Sequence, residues 1–353
     1  MEYCHRSLYY IFSVLFLPLL VFTSCCGPDK ECDPLEEMGN GVNQWTGVAV
    51  SKEGRIFVNY PRWSDDVPIS VAEVVRGDAM PFPDLEWNSE SEDHFIAVQS
   101  VYVDSKDRLW VLDTRNPKFK GVLEGGPVLF CFNLSNNSLI EKYYFPSDTY
   151  QKGSYFNDLR VDCKYDVVYL TDSGSGALVI LDLKNKEVKR RLSQHYSTKS
   201  EKDHLMCNGV RWDNSVDSDG IALTPDGQFL YYIALTGHTL YRIPTVVLRD
   251  YCLDDAEVAV YVEKVTEVPA TDGMMFDSKG NLWMGGLEDD AINRLSSRNE
   301  LEQVIKDERI KWADSFAIDG NGFVYFPTSQ IYLDEKDRGK YKLYRFLPPV
   351  LKK

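Results

Sequence analysis

The chain has 353 residues, of which 39 are Lys or Arg and 54 are Asp or Glu, so its formal net charge is −15 at pH 7. This acidic balance excludes nucleic acids and anionic membrane surfaces as direct partners, because neutralising phosphate groups requires clustered Lys and Arg. Aromatic residues make up 13% of the chain, which suits β-sheets that pack broad side chains face to face.

Residues 1–24 have the layout of a cleaved signal peptide. Arg6 precedes the apolar run SLYYIFSVLFLPLLVF, and small residues precede Cys25. The run is too short for us to prefer a transmembrane helix. Cys25 stands where a bacterial lipoprotein signal places its lipidated cysteine, so we expect a lipid anchor on Cys25 and a tether over residues 25–43. A plain secretory signal is the alternative; in both cases we expect export, to the bacterial cell envelope or into the medium.

One strand-turn-strand pattern occurs six times after the tether. Each copy has a polar opening, a short apolar run, a turn rich in Asp, Lys, Gly or Asn, and a second apolar run. In chain order the copies are TGVAVSKEGRIFVNY from Thr46, QSVYVDSKDRLWVLD from Gln99, NDLRVDCKYDVVYLTD from Asn157, DGIALTPDGQFLYYIA from Asp219, TDGMMFDSKGNLWMGG from Thr271 and DSFAIDGNGFVYFPT from Asp314. Repetition of short strands at intervals of a few tens of residues indicates a propeller.

Further apolar stretches complete several repeats to four strands, for example 128–134 and 140–146 after the second hairpin. The sequence therefore predicts an all-β fold: a six-bladed β-propeller over residues 44–353, with four-stranded antiparallel blades around a central channel. The sixth repeat runs out of chain after 342–347, so we expect a strand from the N-terminal side to complete it. A doubly wound fold is disfavoured, because it needs amphipathic helices between the strands.

The opening residue of each first strand should lie near the mouth of the channel, because first strands line the centre of a propeller. These six residues are all polar: Thr46, Gln99, Asn157, Asp219, Asp272 and Asp314. Converging carboxylates raise one another's pKa unless a positive group lies among them. We therefore predict one divalent cation, held by Asn157, Asp219, Asp272 and Asp314; calcium is the first choice, with zinc and magnesium as alternatives. The simpler interpretation is turn chemistry, in which Asp and Asn bond to their own backbone.

A second group of side chains is predicted to form a ligand-binding mouth. Arg62 and Trp63 follow the second strand of the first repeat, and Tyr325 and Gln330 hold the equivalent place in the sixth. The first and sixth blades adjoin in a closed ring, so these groups should be neighbours, with Gln99 as a further polar contact. Aromatic walls with a few polar groups are typical of small-molecule pockets. Packing between blades is the alternative interpretation.

The histidine and cysteine patterns leave their roles open. His195 and His204 lie in the long region between the third and fourth repeats, where a surface position is the default and a general base the alternative. Export would permit disulfides, but the sequence assigns no pairing among the cysteines beyond the tether, which are Cys131, Cys163, Cys207 and Cys252.

Motifs from all six repeats occur in order between Trp45 and Leu347. They are TGVAVSKEGRIFVNYPRW, VQSVYVDSKDRLWVLDT, SYFNDLRVD, VVYLTDSGSGALVILDL, DGIALTPDGQFLYYIALTGHTLYRIPT and WADSFAIDGNGFVYFPTSQ. Together they resemble the major royal jelly protein/Yellow family, in a bacterial form. That family is similar in fold to the senescence marker protein/gluconolactonase family, whose six-bladed propellers hold one divalent metal in the channel and hydrolyse sugar lactones.

The resemblance implies a set of metal ligands for this chain. Asp272 falls on the metal-binding Asp before Gly of the gluconolactonase-type propellers, and Asn157 falls on the Asn of their Asn-Asp pair. Asp219 takes the place of their Asn before Gly, a substitution that keeps an oxygen donor. Thr46 stands where they have Glu, which removes one ligand, and Asp314 is the residue that could restore the lost charge.

Three functional hypotheses follow. The first is a metal-dependent hydrolase or isomerase of gluconolactonase type, in which the metal polarises a carbonyl group and Asp272 or Asp314 moves the proton. The second is a non-catalytic protein that binds small aromatic or amine ligands. The third is a protein-interaction platform on the cell envelope, and the resemblance implies a dopachrome-tautomerase-like activity as an alternative to the first two. We expect a monomer with a small-molecule partner, whose contact with a membrane runs only through the N-terminal lipid.

Overall fold

The computed structural model describes residues 33–89, 91 and 93–349. The predicted signal peptide, Cys25 and the first part of the predicted tether lie outside these residues. Six four-stranded antiparallel sheets follow one another as the blades of a propeller. The prediction of an all-β, six-bladed propeller is therefore confirmed.

The first half of the described chain forms the N-terminal strand and three blades. The N-terminal strand is β1 (Glu36–Gly41). Blade one contains β2 (Gly47–Val50), β3 (Ile56–Asn59), β4 (Val71–Val75) and β5 (Asp78–Pro81). Blade two contains β6 (Val98–Val103), β7 (Arg108–Asp113), β8 (Val128–Asn133) and β9 (Ser138–Tyr144). Blade three contains β10 (Phe156–Asp162), β11 (Val167–Asp172), β12 (Ala177–Asp182) and β13 (Val188–Arg191).

The second half begins with a separate hairpin and continues with three blades. The hairpin is formed by β14 (Leu205–Cys207) and β15 (Val210–Trp212). Blade four contains β16 (Ser218–Leu223), β17 (Phe229–Ala234), β18 (Thr239–Pro244) and β19 (Glu263–Glu267). Blade five contains β20 (Met274–Phe276), β21 (Leu282–Gly286), β22 (Ala291–Leu295) and β23 (Leu301–Lys306), and blade six contains β24 (Ala317–Ile318), β25 (Val324–Thr328) and β26 (Tyr341–Phe346).

In the described residues, helical structure is limited to short segments between strands. Two short α-helices, α1 (Thr245–Leu248) and α2 (Asp255–Ala259), connect β18 to β19, and 3-10 turns occur at Pro117–Phe119, Tyr196–Thr198 and Glu335–Asp337. Within the described ranges, no helix is long and apolar enough to cross a membrane. The four cysteines whose pairing the sequence left open are free thiols in this structure.

Strand β1 closes the ring by completing blade six. It pairs antiparallel with β26, with Glu36 opposite Arg345 and Gly41 opposite Tyr341. Arg345 also forms an ion pair with Glu36 at 2.7 Å. The expected N-terminal strand is therefore present. Because β1 lies inside the stretch assigned to a tether, the propeller begins earlier than residue 44.

The hydrophobic core is divided among the interfaces between neighbouring blades. Phe57 of blade one packs in a cluster with Phe130 and Phe132 of blade two, and Tyr169 of blade three shares a cluster with Tyr232 of blade four. Similar clusters lie at the other four interfaces. Burying a large apolar side chain contributes roughly 1.5–3 kcal/mol, so each blade depends on the two blades that flank it.

Removing β1 should open the ring. A chain that begins at residue 43 leaves the edge of β26 unpaired and Arg345 without its carboxylate partner, so we expect its melting temperature to fall by about 10 °C and its aggregation to increase. Thermal unfolding followed by circular dichroism measures this, with a chain that begins at residue 34 as the control. Equal melting temperatures for the two chains would show that β1 does not close the propeller.

Candidate functional site

The openings of the first strands converge around one axis, as contacts between successive blades show. Ser315 of blade six donates its hydroxyl hydrogen bond to the Thr46 carbonyl oxygen (2.9 Å). Thr46 Oγ1 donates to the Gln99 carbonyl oxygen (3.4 Å), and Ser100 Oγ donates to Asp158 Oδ1 (2.9 Å). Blades six, one, two and three are thus linked in order at their channel ends.

Glycine brings the channel ends of blades four, five and six together. A Cβ atom on Gly220 would lie 2.3 Å from the Asp272 carbonyl oxygen, and one on Gly273 would lie 2.7 Å from the Asp314 carbonyl oxygen. Both distances are shorter than a Cβ atom tolerates, so only glycine permits this approach. The Asp-Gly pairs at 219–220 and 272–273 therefore bring neighbouring first strands together and with them their acidic side chains.

Irregular strand pairing changes the direction of several side chains at the channel openings. The register shifts within β6 around Gln99, within β10 around Asn157 and Asp158, and within β16 around Asp219. A β-bulge bends its strand and redirects the side chain at the bulge. Each of these first strands has one residue more than its partner strand across the shift, but the sequence did not reveal the bulges, because the extra residue shows only once the strands are paired.

Three of the predicted site carboxylates form a buried acidic group. The exposed fractions of Asp219, Asp272 and Asp314 are 3%, 6% and 6%. Burial raises the pKa of Asp272 to about 7, although hydrogen bonds with Trp312 and Asp219 act in the opposite direction. Burial, and then the charge of Asp272, raise the pKa values of Asp219 and Asp314 well above the usual range. Burial is thus the main cause for all three carboxyl groups, and the charge of Asp272 raises the pKa values of the other two further.

Oxygen atoms of this acidic group have unused hydrogen-bonding capacity. Asp219 Oδ1 and Asp314 Oδ2 are buried, and neither receives a hydrogen bond from the described residues. Buried acceptors without a donor are uncommon in proteins and costly in free energy. They favour a partner from outside the described residues, such as a ligand with donor groups, a cation or ordered water.

The arrangement fits a metal ion only in part. In the portion of the chain that the structure describes, no three His, Cys, Asp or Glu side chains are placed to hold a metal ion by themselves. A cation at this site would therefore need the amide oxygen of Asn157, which is 7% exposed, and water in addition to the carboxylates. Thr46, the residue in place of Glu, uses its hydroxyl group in hydrogen bonds with Gln99 and Asn59.

Trp312 fixes the position of Asp272. Its indole Nε1 donates a hydrogen bond to Asp272 Oδ2 (2.7 Å), and its ring lies 4.9 Å from that of Trp212 on the β14–β15 hairpin. The backbone of Trp312 has φ +66°, a left-handed conformation that is unusual for a bulky residue and is often found at functional sites. The sequence analysis missed this residue, since WAD gives no sign of a contact with Asp272, 40 positions away.

An aromatic cluster lies on the side of Gln99. Trp63 Nε1 donates to Tyr155 Oη (2.7 Å), and Tyr155 Oη donates to Gln99 Oε1 (2.7 Å). Phe119 stacks on Tyr155 with ring centroids 4.8 Å apart. The structure thus joins Trp63 and Gln99 through Tyr155, on which Phe119 stacks; the sequence analysis missed Tyr155 and Phe119. Asp172, which ends β11 in the YLTD motif, holds Tyr155 by accepting from its backbone N–H (2.9 Å).

The remaining residues of the predicted mouth have structural contacts. Tyr325 packs in the cluster between blades six and one, and its hydroxyl group donates to Asp319 (3.2 Å) in the β24–β25 turn. Gln330 donates to the Lys340 carbonyl oxygen (3.1 Å). Arg62 is half-buried, and its carbonyl oxygen accepts from the backbone of Lys118 (2.9 Å). The contacts of Tyr325 match the alternative interpretation, which was packing between blades.

The two candidate histidines make local contacts. His195 caps the 3-10 turn that follows it, because its ring accepts from the backbone N–H of Ser197 (3.3 Å). His204 pairs with the exposed Asp203 at 2.6 Å. These contacts match the default surface interpretation of both residues.

A buried guanidinium group lies in the channel beside the acidic group. Arg160 is 3% exposed and forms an ion pair with Asp158 at 3.1 Å. It also donates to the Met274 carbonyl oxygen on the first strand of blade five, and its guanidinium carbon lies 5.3 Å from the centre of the Tyr102 ring. The sequence analysis overlooked this ion pair, although two charges two positions apart in a strand were a visible signal.

A cavity of about 1140 Å³ lies at the opposite end of the first strands, where the hairpins turn. Its lining includes Tyr102, Met275, Ile318 and Pro348. This cavity is separate from the acidic group, because its lining comes from the far ends of the first strands. The Arg160–Tyr102 contact lies between the two regions.

A family model described as "Major royal jelly protein" matches residues 96–332. The chain belongs to the major royal jelly protein family. It is 25% identical over 251 residues to major royal jelly protein 8 of Apis mellifera, a match that covers 65% of this chain and 58% of the relative. It is also 25% identical over 246 residues to the Yellow-related salivary protein LJM111 of Lutzomyia longipalpis, covering 62% of this chain and 61% of the relative. The chain thus spans less than two thirds of the length of these family members.

Solved structures with the same fold include members of the gluconolactonase group. A gluconolactonase from Xanthomonas campestris aligns with a TM-score of 0.55 and 14% identity, over 89% of each chain. The calcium-binding protein regucalcin from Agrobacterium tumefaciens aligns with a TM-score of 0.54 and 13% identity, over 90% of this chain and 98% of the other. At such low identity these likenesses support the propeller fold alone.

The raised pKa of Asp272 predicts how stability depends on pH. The pKa of Asp272 is about 7 in the folded state and 3.8 ordinarily. Between pH 3.8 and pH 7, its carboxyl group is therefore protonated in the folded state and ionised in the unfolded state. The free energy of unfolding should therefore fall as pH rises from about 4 to 7, by roughly 1.4 kcal/mol for each pKa unit. Asp272→Asn should remove this loss, so its stability advantage over the wild type should grow across that range.

Urea unfolding at several pH values measures this difference. Asp226→Asn is the matched control, because Asp226 lies in an exposed turn and its pKa is lowered by hydrogen bonds from Gln228 and Thr224. The control should show no growing advantage between pH 4 and 7. A constant difference between Asp272→Asn and the wild type would contradict the assignment.

Proposed function

We propose that this protein binds a small polar molecule at the acidic group of Asp219, Asp272 and Asp314 and acts on it as a hydrolase or isomerase of gluconolactonase type. The observation that carries the proposal is the pair of buried oxygens, Asp219 Oδ1 and Asp314 Oδ2, that lack donors. A bound molecule with hydroxyl or ammonium groups would supply those donors. The neighbouring aromatic cluster of Trp63, Phe119 and Tyr155 offers apolar surface for the rest of the molecule.

The chemistry proposed for this site is proton transfer by two adjacent carboxyl groups. In hydrolysis of a lactone, Asp272 in its ionised form accepts a proton from the water whose oxygen bonds to the carbonyl carbon. Asp219 in its protonated form then gives a proton to the ring oxygen as its bond to that carbon breaks. Asp219 and Asp272 lie within hydrogen-bonding reach of each other, so the pair can return to its starting state. Asp314 stays the alternative partner of Asp272.

A divalent cation is the second proposal for the same site. The acceptor oxygens without donors favour it, and Asn157, Asp219, Asp272 and Asp314 are the residues that would hold it, with calcium the first choice. When bound, such a cation polarises carbonyl groups. The proton transfers described above are written for the carboxyl groups alone, and the cation would add this polarisation to them.

Non-catalytic binding and export complete the proposal. An acidic group beside aromatic rings also suits an amine ligand, which makes binding without turnover the main competing function.

Export is proposed from Arg6, the apolar run that follows it and Cys25. The relative named as a salivary protein supports export.

Turnover should depend on Asp272. We expect Asp272→Asn to lower kcat for a sugar lactone or a related cyclic substrate by roughly 100-fold or more, because general acid-base catalysis commonly contributes that much. A pH-stat assay over a panel of lactones measures it, with Asp226→Asn as the control variant. Micromolar binding of a panel compound without any turnover would support the binding function instead.

Elemental analysis tests the cation. We expect purified protein to carry close to one divalent ion per chain and Asp272→Ala to lose it, because the variant removes a carboxylate ligand. Asp226→Ala should keep the ion. A wild type without metal and an Asp272→Ala variant that behaves like it would contradict the cation and leave the proton-transfer proposal intact.

A further inference from the structure

Arg160 differs from the rest of the channel because it is a cation and a donor among acceptors. Its Nη1 donates to Asp158 and to the Leu159 carbonyl oxygen, and its Nη2 donates to the Met274 carbonyl oxygen. Its Nε–H is buried, and no described residue accepts from it. A buried donor on a charged side chain without an acceptor is costly in free energy. Arg160 therefore lacks one partner, which must be an acceptor.

The location of Arg160 relates this missing acceptor to the acidic group. The guanidinium group contacts Met274, two residues after Asp272 on the same chain segment, and two residues along a strand span about 7 Å. Burial is the main cause of the raised pKa values of Asp219, Asp272 and Asp314, and the charge of Asp158, the ion-pair partner of Arg160, raises them further. One small cyclic molecule could therefore contact the guanidinium group and the acidic group at the same time.

We propose that Arg160 is the residue that contacts the carbonyl oxygen of the bound molecule through its Nε–H. This inference rests on the proposed function and names its substrate class: a small cyclic carbonyl compound with hydroxyl groups, such as a sugar lactone. The hydroxyl groups donate to Asp219 and Asp314, and the carbonyl oxygen accepts from Arg160. A positive donor at that oxygen stabilises the negative charge that collects there during reaction.

The rigidity of the guanidinium group supports this role. Two of its three nitrogens are held by Asp158 and by backbone carbonyl oxygens on two different blades, so the direction of the Nε–H bond is fixed before a ligand binds. Preorganised donors of this kind stabilise charge at the site without rearranging during the reaction. Lys at this position would keep the charge but lose the fixed direction.

A matched pair of ligands isolates the contact. D-Glucono-1,5-lactone and 1,5-anhydroglucitol share a six-membered ring and its hydroxyl groups, but only the lactone has a carbonyl oxygen. Tryptophan fluorescence recorded immediately after mixing with excess ligand, before hydrolysis depletes the lactone, should give about 10-fold tighter binding of the lactone to the wild type, as expected for a hydrogen bond to a charged group. In Arg160→Gln this preference should disappear, while binding of 1,5-anhydroglucitol changes little.

Arg191→Gln is the matched control variant. Arg191 is also buried, donates to two backbone carbonyl oxygens (Leu253 and Asp250), and has an Nε atom without an acceptor among the described residues, but its contacts lie at blade three and the α1–α2 region. It should retain the preference for the lactone. Because Arg160→Gln leaves Asp158 buried without its cation, a double variant with Asp158→Asn is tested as well. Melting temperatures identify any variant that does not fold.

The outcomes separate this inference from the function on which it rests. A wild type without preference for the lactone, or a preference that survives in both the single and the double Arg160 variant, overturns the role of Arg160. If Asp272→Asn still abolishes binding or turnover in that case, the proposed function stands without it. If Asp272→Asn changes neither binding nor turnover, the proposed function fails, whatever the Arg160 variants show.

Discussion

The close approach of six first strands around one axis is the constraint on which the rest of this structure depends. Between blades four, five and six the backbones approach closely, and Gly220 and Gly273 are required because a Cβ atom at either position would collide with the next strand. This approach forces carboxylates from separate blades into one buried volume, where burial and repulsion raise their pKa values. The acidic group is therefore a product of the closed ring, which the β1–β26 pairing completes.

The fold was accessible from the sequence because its signals are local and repeated. Six copies of one hairpin, with polar openings and turns rich in Asp, Lys, Gly or Asn, specify short strands and their order, and the incomplete last repeat pointed to the N-terminal strand. The same alignment placed Asp219, Asp272 and Asp314 together. These residues share one position in the repeat, and a propeller brings equivalent positions together.

Most of the surroundings of the site could not be predicted, because they depend on contacts between distant segments. Trp312 and Tyr155 reach the channel from connections between blades, where no repeat fixes a position. The sequence analysis expected a positive group among the carboxylates and proposed a metal ion for that role. The structure also places a positive side chain, Arg160, beside Asp158. Tyr325 and Gln330 were chosen because blades one and six adjoin, but adjoining blades can use such residues for packing as readily as for a ligand.

The position of Arg160 affects how a small molecule can reach the carboxylates. Its side chain reaches from blade three to blade five and lies against Tyr102, which also lines the cavity at the turn end. Arg160 and Tyr102 therefore lie between that cavity and the carboxylates, and the doorway nearer to the carboxylates is at the opposite end of the channel. That doorway is bordered by Trp63 on one side and by the hairpin that carries Trp212 on the other, so changes in either border should alter release rates more than chemistry.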